Sequence, residues 1–343
     1  MRVAVIGGGG WGTTLAIILH GGGHEPRLWV YESDLAARMR DRRENDAYLP
    51  GVRLPDGLAV TDALGEAAEG AEALLVVTPS HALRAVTARL LSEAPGLARA
   101  RLRWVTTATK GLERGTLLRM SEVLEQALPE PLKRRVAVLA GPSHAEEVAR
   151  RVPTAVVAAS RDAEVSRSVQ ESFSSETFRV YTNDDVVGVE IGVALKNVIA
   201  IAAGICDGLG FGDSTKGALL TRGLVEMARL GERMGARRET FSGLAGMGDL
   251  IATAMSRHSR NRGLGEAIGR GRTLEQALAA TRMVVEGVAT ADAAVALARR
   301  HDVELPIAEQ VRAILYEGKS PKTAIRELLT RDLKAEPRSV AGR

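Results

Sequence analysis

The first twelve residues, MRVAVIGGGGWG, restrict the fold more than any other part of the chain. Arg2–Ile6 is a β-branched run of strand type that breaks directly into glycines, and residues 13–20 (TTLAIILH) continue as an apolar helical stretch. Gly7, Gly9 and Gly12 fit G-x-G-x-x-G between the two. Gly7 permits the tight turn, Gly9 lets a pyrophosphate approach the backbone, and Gly12 lets the helix lie close on the strand. The pyrophosphate then meets the positive end of the helix. A second strand is expected at residues 27–31. Glu32 follows about 20 residues past Gly12, where a carboxylate can take a ribose hydroxyl. The pattern predicts a dinucleotide site; the alternative is a turn that is merely rich in glycine.

The alternation continues. Strands are expected at residues 74–78, 102–107, 136–140, 154–160 and 177–181, with helices at 82–91, 144–150 and 163–173. Strands alternating with helices imply parallel pairing through crossovers, with ligands bound at the carboxyl ends of the strands. The loops bearing Thr78, Lys110 and Ser143 all follow strands, so they are expected to open onto one crevice. Lys110 in its Thr-Lys-Gly turn is either a solvated loop lysine or a group aimed into that crevice. His81 and His144 read as helix-start residues rather than catalysts.

Beyond residue 184 the strand pattern stops and helices take over to about residue 331. The fold class expected is an α/β N-terminal Rossmann-type doubly wound sheet followed by an all-α C-terminal domain. The expected domains are a dinucleotide-binding unit at 1–184, a helical substrate and catalytic unit at 185–331, and a polar tail at 332–343. Residues 186–206 (VVGVEIGVALKNVIAIAAGIC) are apolar nearly all the way round a helical wheel, which belongs to a helix in the middle of a protein. Lys196 stands at its centre, beside Asn197 and one and a half turns after Glu190. A desolvated lysine lowers its pKa and becomes a proton-transfer group near neutral pH; a lysine that reaches the helix edge keeps its charge in water. Asp249, after Gly246-Met247-Gly248, reads either as a helix cap or as a carboxylate brought beside Lys196. Ser259-Arg260-Asn261 offers a hydroxyl, a guanidinium fork and an amide in succession, a set suited to phosphate oxygens, though the tripeptide alone is an everyday loop.

With a net charge of +4 over 343 residues and no block of basic residues, a nucleic-acid partner is not expected. The one cysteine, Cys206, leaves no intramolecular disulfide and fits a reducing compartment. No signal peptide is read at the start. The sole apolar run of membrane-spanning length, residues 186–206, is interrupted by Glu190 and Lys196, so no membrane span and a cytoplasmic location are expected. No metal site is expected.

Taken together, seven blocks in one order resemble NAD(P)-dependent glycerol-3-phosphate dehydrogenase of the bacterial type: GGGGWGTTLA at 7–16, TKGLE at 109–113, GPSHAEEVA at 141–149, GVEIGVALKNVIAIAAGICDGLG at 188–210, TFSGLAGMGDL at 240–250, SRNRGLG at 259–265 and VVEGV at 284–288. The resemblance spans nearly the whole chain. It implies reversible reduction of dihydroxyacetone phosphate to sn-glycerol 3-phosphate for phospholipid synthesis, with Lys196 as the acid–base group. It implies that Lys110, Gly141, Ser143, Asp249, Ser259, Arg260 and Asn261 line the substrate site. It also implies that Gly10, Trp11, Tyr31, Tyr48, Lys110, Ala145, Arg260, Val284 and Glu286 touch the dinucleotide. On that reading Lys110 stabilises developing negative charge and Asp249 orients Lys196. A homodimer is implied as well.

This chain departs from the family pattern in three places. The first loop holds only glycines, His144 stands where Phe is common, and Tyr31 stands where Arg or His is common. Tyr31 cannot supply charge to a 2′-phosphate, and with Glu32 next to it the balance leans to NAD over NADP, although Arg27, Arg38 or a nearby loop could still serve NADP, and the preference stays open. The runner-up function is a β-hydroxyacid dehydrogenase, which also carries a catalytic lysine on a helical domain. A nucleotide-sugar dehydrogenase needs a nucleophilic thiol, and Cys206 has no basic neighbour in sequence. A dinucleotide-sensing protein without chemistry could dispense with Lys196, Asp249 or Arg260, and all three are present.

Overall fold

The computed structural model describes residues 1–281, 284–333 and 336; the expected tail at 332–343 lies almost entirely outside the described residues. The strands in chain order are β1 (Arg2–Ile6), β2 (Glu25–Trp29), β3 (Glu44–Asn45), β4 (Leu49–Arg53), β5 (Ala59–Thr61), β6 (Ala73–Val76), β7 (Val105–Thr107), β8 (Val136–Ala140), β9 (Thr154–Ala159) and β10 (Phe178–Asn183). An eight-stranded sheet runs β10-β9-β8-β7-β6-β1-β2-β5, and β3 and β4 form a separate hairpin. The order reverses beside β1, where an open α/β sheet leaves its ligand crevice.

All neighbours in the large sheet are parallel except β8 and β9. The expectation of parallel pairing throughout is therefore corrected at one place. The helix between those strands, Ala145–Ala149, has five residues. At about 1.5 Å per residue it cannot carry the chain back along a strand rising about 3.3 Å per residue. The chain turns instead, and the loop 141–144 stays at the crevice. The second strand ends at Trp29, before Tyr31, and the strand expected at 102–107 shrinks to Val105–Thr107.

The sheet is covered on both faces. Helices Gly10–Gly21 and Ala163–Phe173 bring Leu15, Leu19, Val165 and Phe173 to one face, and Leu83, Leu90, Met120 and Leu124 fill the other. From residue 186 on, every regular element among the described residues is helical. Val186–Gly208 is the axis of this half, with only three of its 23 residues not buried. By length and composition this helix could cross a membrane, but nearly all of it is buried inside the protein. Its first turns also dock on the sheet, where Val186, Val189 and Val193 meet Val138 and Val157. Helix Arg260–Gly269 lies against its far half through glycines: a Cβ on Gly265 would stand 2.0 Å from the Ile201 carbonyl oxygen, and one on Gly204 the same distance from that of Arg262. That contact brings residues 259–261 alongside the central helix.

Candidate active site

The glycine loop is built as its spacing requires. Gly7 takes φ +129°, a region open to glycine, and a Cβ there would lie 2.3 Å from the Val77 carbonyl oxygen. A Cβ on Gly12 would strike the Gly7 carbonyl oxygen at 1.9 Å, so helix and strand could not approach. Around Gly9, by contrast, a Cβ would meet nothing within 4 Å. The outer side of the loop is open at the position where a pyrophosphate would rest, at the N-terminus of the twelve-residue helix Gly10–Gly21. Asn45, fully buried, fixes this loop: its Nδ2 donates to the Gly8 carbonyl oxygen and to Thr13 Oγ1, both at 2.8 Å, and its Oδ1 accepts from the Tyr48 amide at 3.0 Å. No spacing rule points to Asn45, because it sits in a hairpin strand of two residues.

Gly10, Tyr48 and Ala145 come together. A Cβ on Gly10 would meet the Tyr48 carbonyl oxygen at 2.5 Å and the Ala145 Cβ at 3.6 Å, and Thr14 Oγ1 donates to the carbonyls of both Gly10 and Ala145. Tyr48 Oη donates to Glu32 Oε1 at 2.7 Å. Tyr31 is 70% exposed, with its ring edge-on to Trp29, and Trp11 packs near Phe178. From the other half, Glu286 reaches across to the loop after β6, accepting from the amide and hydroxyl of Ser80. The buried Thr78 Oγ1, two residues past the same strand, has no hydrogen-bond partner among the described residues. An open glycine cradle, a carboxylate past β2 and an unsatisfied hydroxyl beside them suit a dinucleotide.

The charged centre lies where the loops after β7 and β8 meet the helical half. Lys196 Nζ donates to Asp249 Oδ1 at 2.8 Å and to Thr253 Oγ1 at 2.5 Å. Lys110 Nζ donates to Asp249 Oδ2 at 3.0 Å and to the Gly141 carbonyl oxygen at 3.2 Å. Ser143 Oγ donates to that same carbonyl. The reading of Lys196 as a residue that reaches open water is corrected, since its side chain is 6% exposed. Asp249 does not cap its helix; both of its oxygens are taken by lysines. Burial lowers the Lys196 pKa to about 7, opposed by the Asp249 charge and reinforced by that of Lys110. Burial alone would raise the Asp249 carboxyl, but the two ammonium groups outweigh it and hold it below the usual carboxylate range. Thr253 escaped the sequence reading. The available signal was its place four residues after Asp249, one turn along the same helix face.

The tripeptide 259–261 is partly committed elsewhere. Ser259 Oγ caps its own helix by accepting from the Arg262 amide, which leaves its O–H as a donor. Asn261 Nδ2 donates to Asn197 Oδ1 at 2.9 Å, next to Lys196, while its Oδ1 accepts from the Gly287 amide. Arg260 is exposed, with Nη1 donating to the Val284 carbonyl oxygen, so Arg260, Val284 and Glu286 form one rim. His144, its pKa lowered by burial, has its ring 6.2 Å from that of His258. Among the described residues no group of His, Cys, Asp and Glu could hold a metal ion.

With this geometry in hand, comparison with known proteins is specific. Family models for the N-terminus and C-terminus of NAD-dependent glycerol-3-phosphate dehydrogenase match residues 2–166 and 185–326. The chain is 52% identical over 335 residues to glycerol-3-phosphate dehydrogenase [NAD(P)+] of Geobacter sp. (strain M21), covering 98% of each chain. It is 51% identical over 336 residues to the protein of the same name from Syntrophotalea carbinolica, covering 98% of this chain and 99% of that one. A crystal structure of glycerol-3-phosphate dehydrogenase from Coxiella burnetii superposes with a TM-score of 0.90 at 40% identity, over 96% of this chain and 99% of that one.

Proposed function

The chain belongs to the NAD-dependent glycerol-3-phosphate dehydrogenase family, and from that premise we propose the part each of its residues plays. The reaction is the reversible NAD(P)H-dependent reduction of dihydroxyacetone phosphate to sn-glycerol 3-phosphate, and the enzyme is an oxidoreductase that uses NAD or NADP. The glycine loop with Trp11, Tyr31, Tyr48, Ala145, Val284 and Glu286 holds the dinucleotide, whose nicotinamide supplies or accepts a hydride at C2 of the substrate. Lys196 gives the C2 oxygen its proton in reduction and takes it back in oxidation. Lys110 stabilises negative charge building on that oxygen, from a site shielded against water. Asp249 holds both nitrogens in place and, with Thr253, fixes the Lys196 side chain. Arg260 and Asn261 receive the phosphate at the N-terminus of helix Arg260–Gly269, with Gly141 and Ser143 closing the side nearer the sheet.

On this reading residues 1–184 bind the dinucleotide, and residues 185–331 bring the acid–base and phosphate groups to it. The product feeds glycerophospholipid synthesis in the cytoplasm, a setting that the single, buried Cys206 suits. A homodimer goes with this reading, since Phe211 and Tyr316 leave apolar surface on the helical half for a second copy.

The observation that supports the reading best is the pair of lysines on opposite oxygens of one buried carboxylate. The test is turnover of dihydroxyacetone phosphate with NADH against a 3-oxo acid with NADH. Turnover of the phosphate ester alone, lost in Lys196→Ala with NADH affinity kept, is the expected result. Wild-type turnover in that variant, or preference for the 3-oxo acid, would sink the assignment and revive a β-hydroxyacid dehydrogenase.

A further inference from the structure

The opposite edge of the sheet carries a second concentration of charge that the reaction does not use. Arg103 and Arg135 stand just before the amino ends of β7 and β8, whose carboxyl ends lead to Lys110 and Gly141. With Arg101 and with Arg167 from helix Ala163–Phe173 they line an open cavity of about 770 Å³. Glu164 and Glu171 of that helix line it too, which leaves four positive charges against two negative ones. None of the four guanidinium groups makes an ion pair or a side-chain hydrogen bond among the described residues. Arg103 is close enough to Glu72 to affect its titration, yet a Glu72 oxygen already accepts from the Arg2 amide at 2.8 Å. Arg38 with Asp34 and Asp46, and Arg84 with Glu113, show the pairing these four lack.

Four guanidinium groups without an ion-pair partner around one concavity repel one another. The fork of a guanidinium binds two oxygens of a phosphate at once, and several forks around one hollow select for a multiply charged anion. The volume is that of a small-molecule site rather than of a single phosphate ion. Among the described residues, the large exposed apolar side chains all lie outside its lining, so nothing there would enter a bilayer. We propose that this arginine-lined cavity is a binding site for a soluble, multiply phosphorylated anion, separate from the catalytic crevice and on the far edge of the same two strands.

The test titrates the full-length enzyme with tripolyphosphate by calorimetry at low salt. It compares wild type, Arg103→Gln/Arg135→Gln and Arg260→Ala. Loss of affinity by about tenfold or more in the double variant, on the scale of a lost charged hydrogen bond, is expected, with Arg260→Ala close to wild type. Turnover of dihydroxyacetone phosphate should persist in the double variant, which shows that it is folded, and Arg103→Lys/Arg135→Lys should recover part of the binding. A loss that follows Arg260→Ala instead would place the anion in the catalytic crevice and overturn the proposal. So would unchanged affinity in the double variant, or no binding at millimolar anion. Sedimentation with phosphatidylglycerol vesicles gives the lipid arm: binding to vesicles without binding to tripolyphosphate would make the patch a membrane contact and end the proposal as stated.

Discussion

Lys196 Nζ and Asp249 Oδ1 lie 2.8 Å apart with both side chains almost wholly buried, and the second oxygen of that carboxylate is held by Lys110. The arrangement sets one negative charge between two positive ones. Burial pulls the Lys196 pKa down to about 7, and the carboxylate keeps it from falling further. A proton donor and acceptor poised near neutrality serves both directions of a reversible reduction.

The sign of the pH dependence follows. With Lys196 in its proposed role, reduction needs the ammonium form, so its kcat should be level below about pH 7 and decline above it. Oxidation requires the free amine, so its kcat should decline below that point. In Asp249→Asn the charge that favours the ammonium is gone, so both limbs should move to lower pH while kcat falls. Rate profiles from pH 5 to 9 in both directions check this. Limbs that stay where they are in the variant would mean that Asp249 does not tune the lysine.

Arg260 is exposed, and its Nη1 donates to the Val284 carbonyl oxygen, which leaves the other side of its fork open to a ligand. Removing it as Arg260→Ala should cost about 1.5–3 kcal/mol of substrate binding. That is a rise in KM for dihydroxyacetone phosphate of roughly tenfold to a hundredfold. The fold should be untouched, since the side chain is not buried. An unchanged KM would remove Arg260 from the phosphate site.

The parts of this fold legible in the sequence were those where one residue type has only one physical use. Gly7 and Gly12 announce the strand-to-helix turn because any Cβ there strikes the backbone. The all-round apolar pattern of residues 186–206 announces a central helix. What stayed hidden was set by partners distant in sequence or by very short elements. Helix Ser33–Arg42 offers only Leu35, Ala36 and Met39 to the core amid charges, and β5 has three residues. Asn45 and Thr253 carry no local signal strong enough to single them out. The reversal of β9 follows from the length of one connecting helix, which periodicity alone does not measure.

We propose that cofactor choice turns on the end of β2. Glu32 is fixed by the Tyr48 hydroxyl at 2.7 Å, and Tyr31 beside it has no charge to offer a 2′-phosphate. A fixed carboxylate accepts from a ribose hydroxyl and repels a phosphate in the same place. NADH should therefore give the lower KM. The double variant Tyr31→Arg/Glu32→Ser should lower the KM for NADPH by about tenfold, the scale of one charged hydrogen bond. Equal use of both cofactors by the wild type, measured side by side, would show that this pair does not decide.

Glu190 lies on the central helix six residues before Lys196 and faces the sheet half. Its carboxylate accepts from Arg119 Nη1 at 2.5 Å, from Ser121 Oγ at 2.6 Å and from the Ser121 amide at 2.8 Å. Glu190 and Arg119 are 4% and 3% exposed, so this ion pair joins the two halves out of reach of water. A buried pair of this kind contributes little net stability over an apolar pair of similar volume, but removing Glu190 leaves the buried Arg119 guanidinium with the partly exposed Glu122 as its remaining carboxylate. Glu190→Ala should therefore lose about 3 kcal/mol in denaturant unfolding, the low end for a broken buried pair. The apolar double variant Arg119→Met/Glu190→Leu should regain most of that loss if the cost is that of the stranded charge. If the double variant is instead as unstable as Glu190→Ala, the hydrogen bonds to Ser121, rather than the stranded guanidinium, hold the halves together.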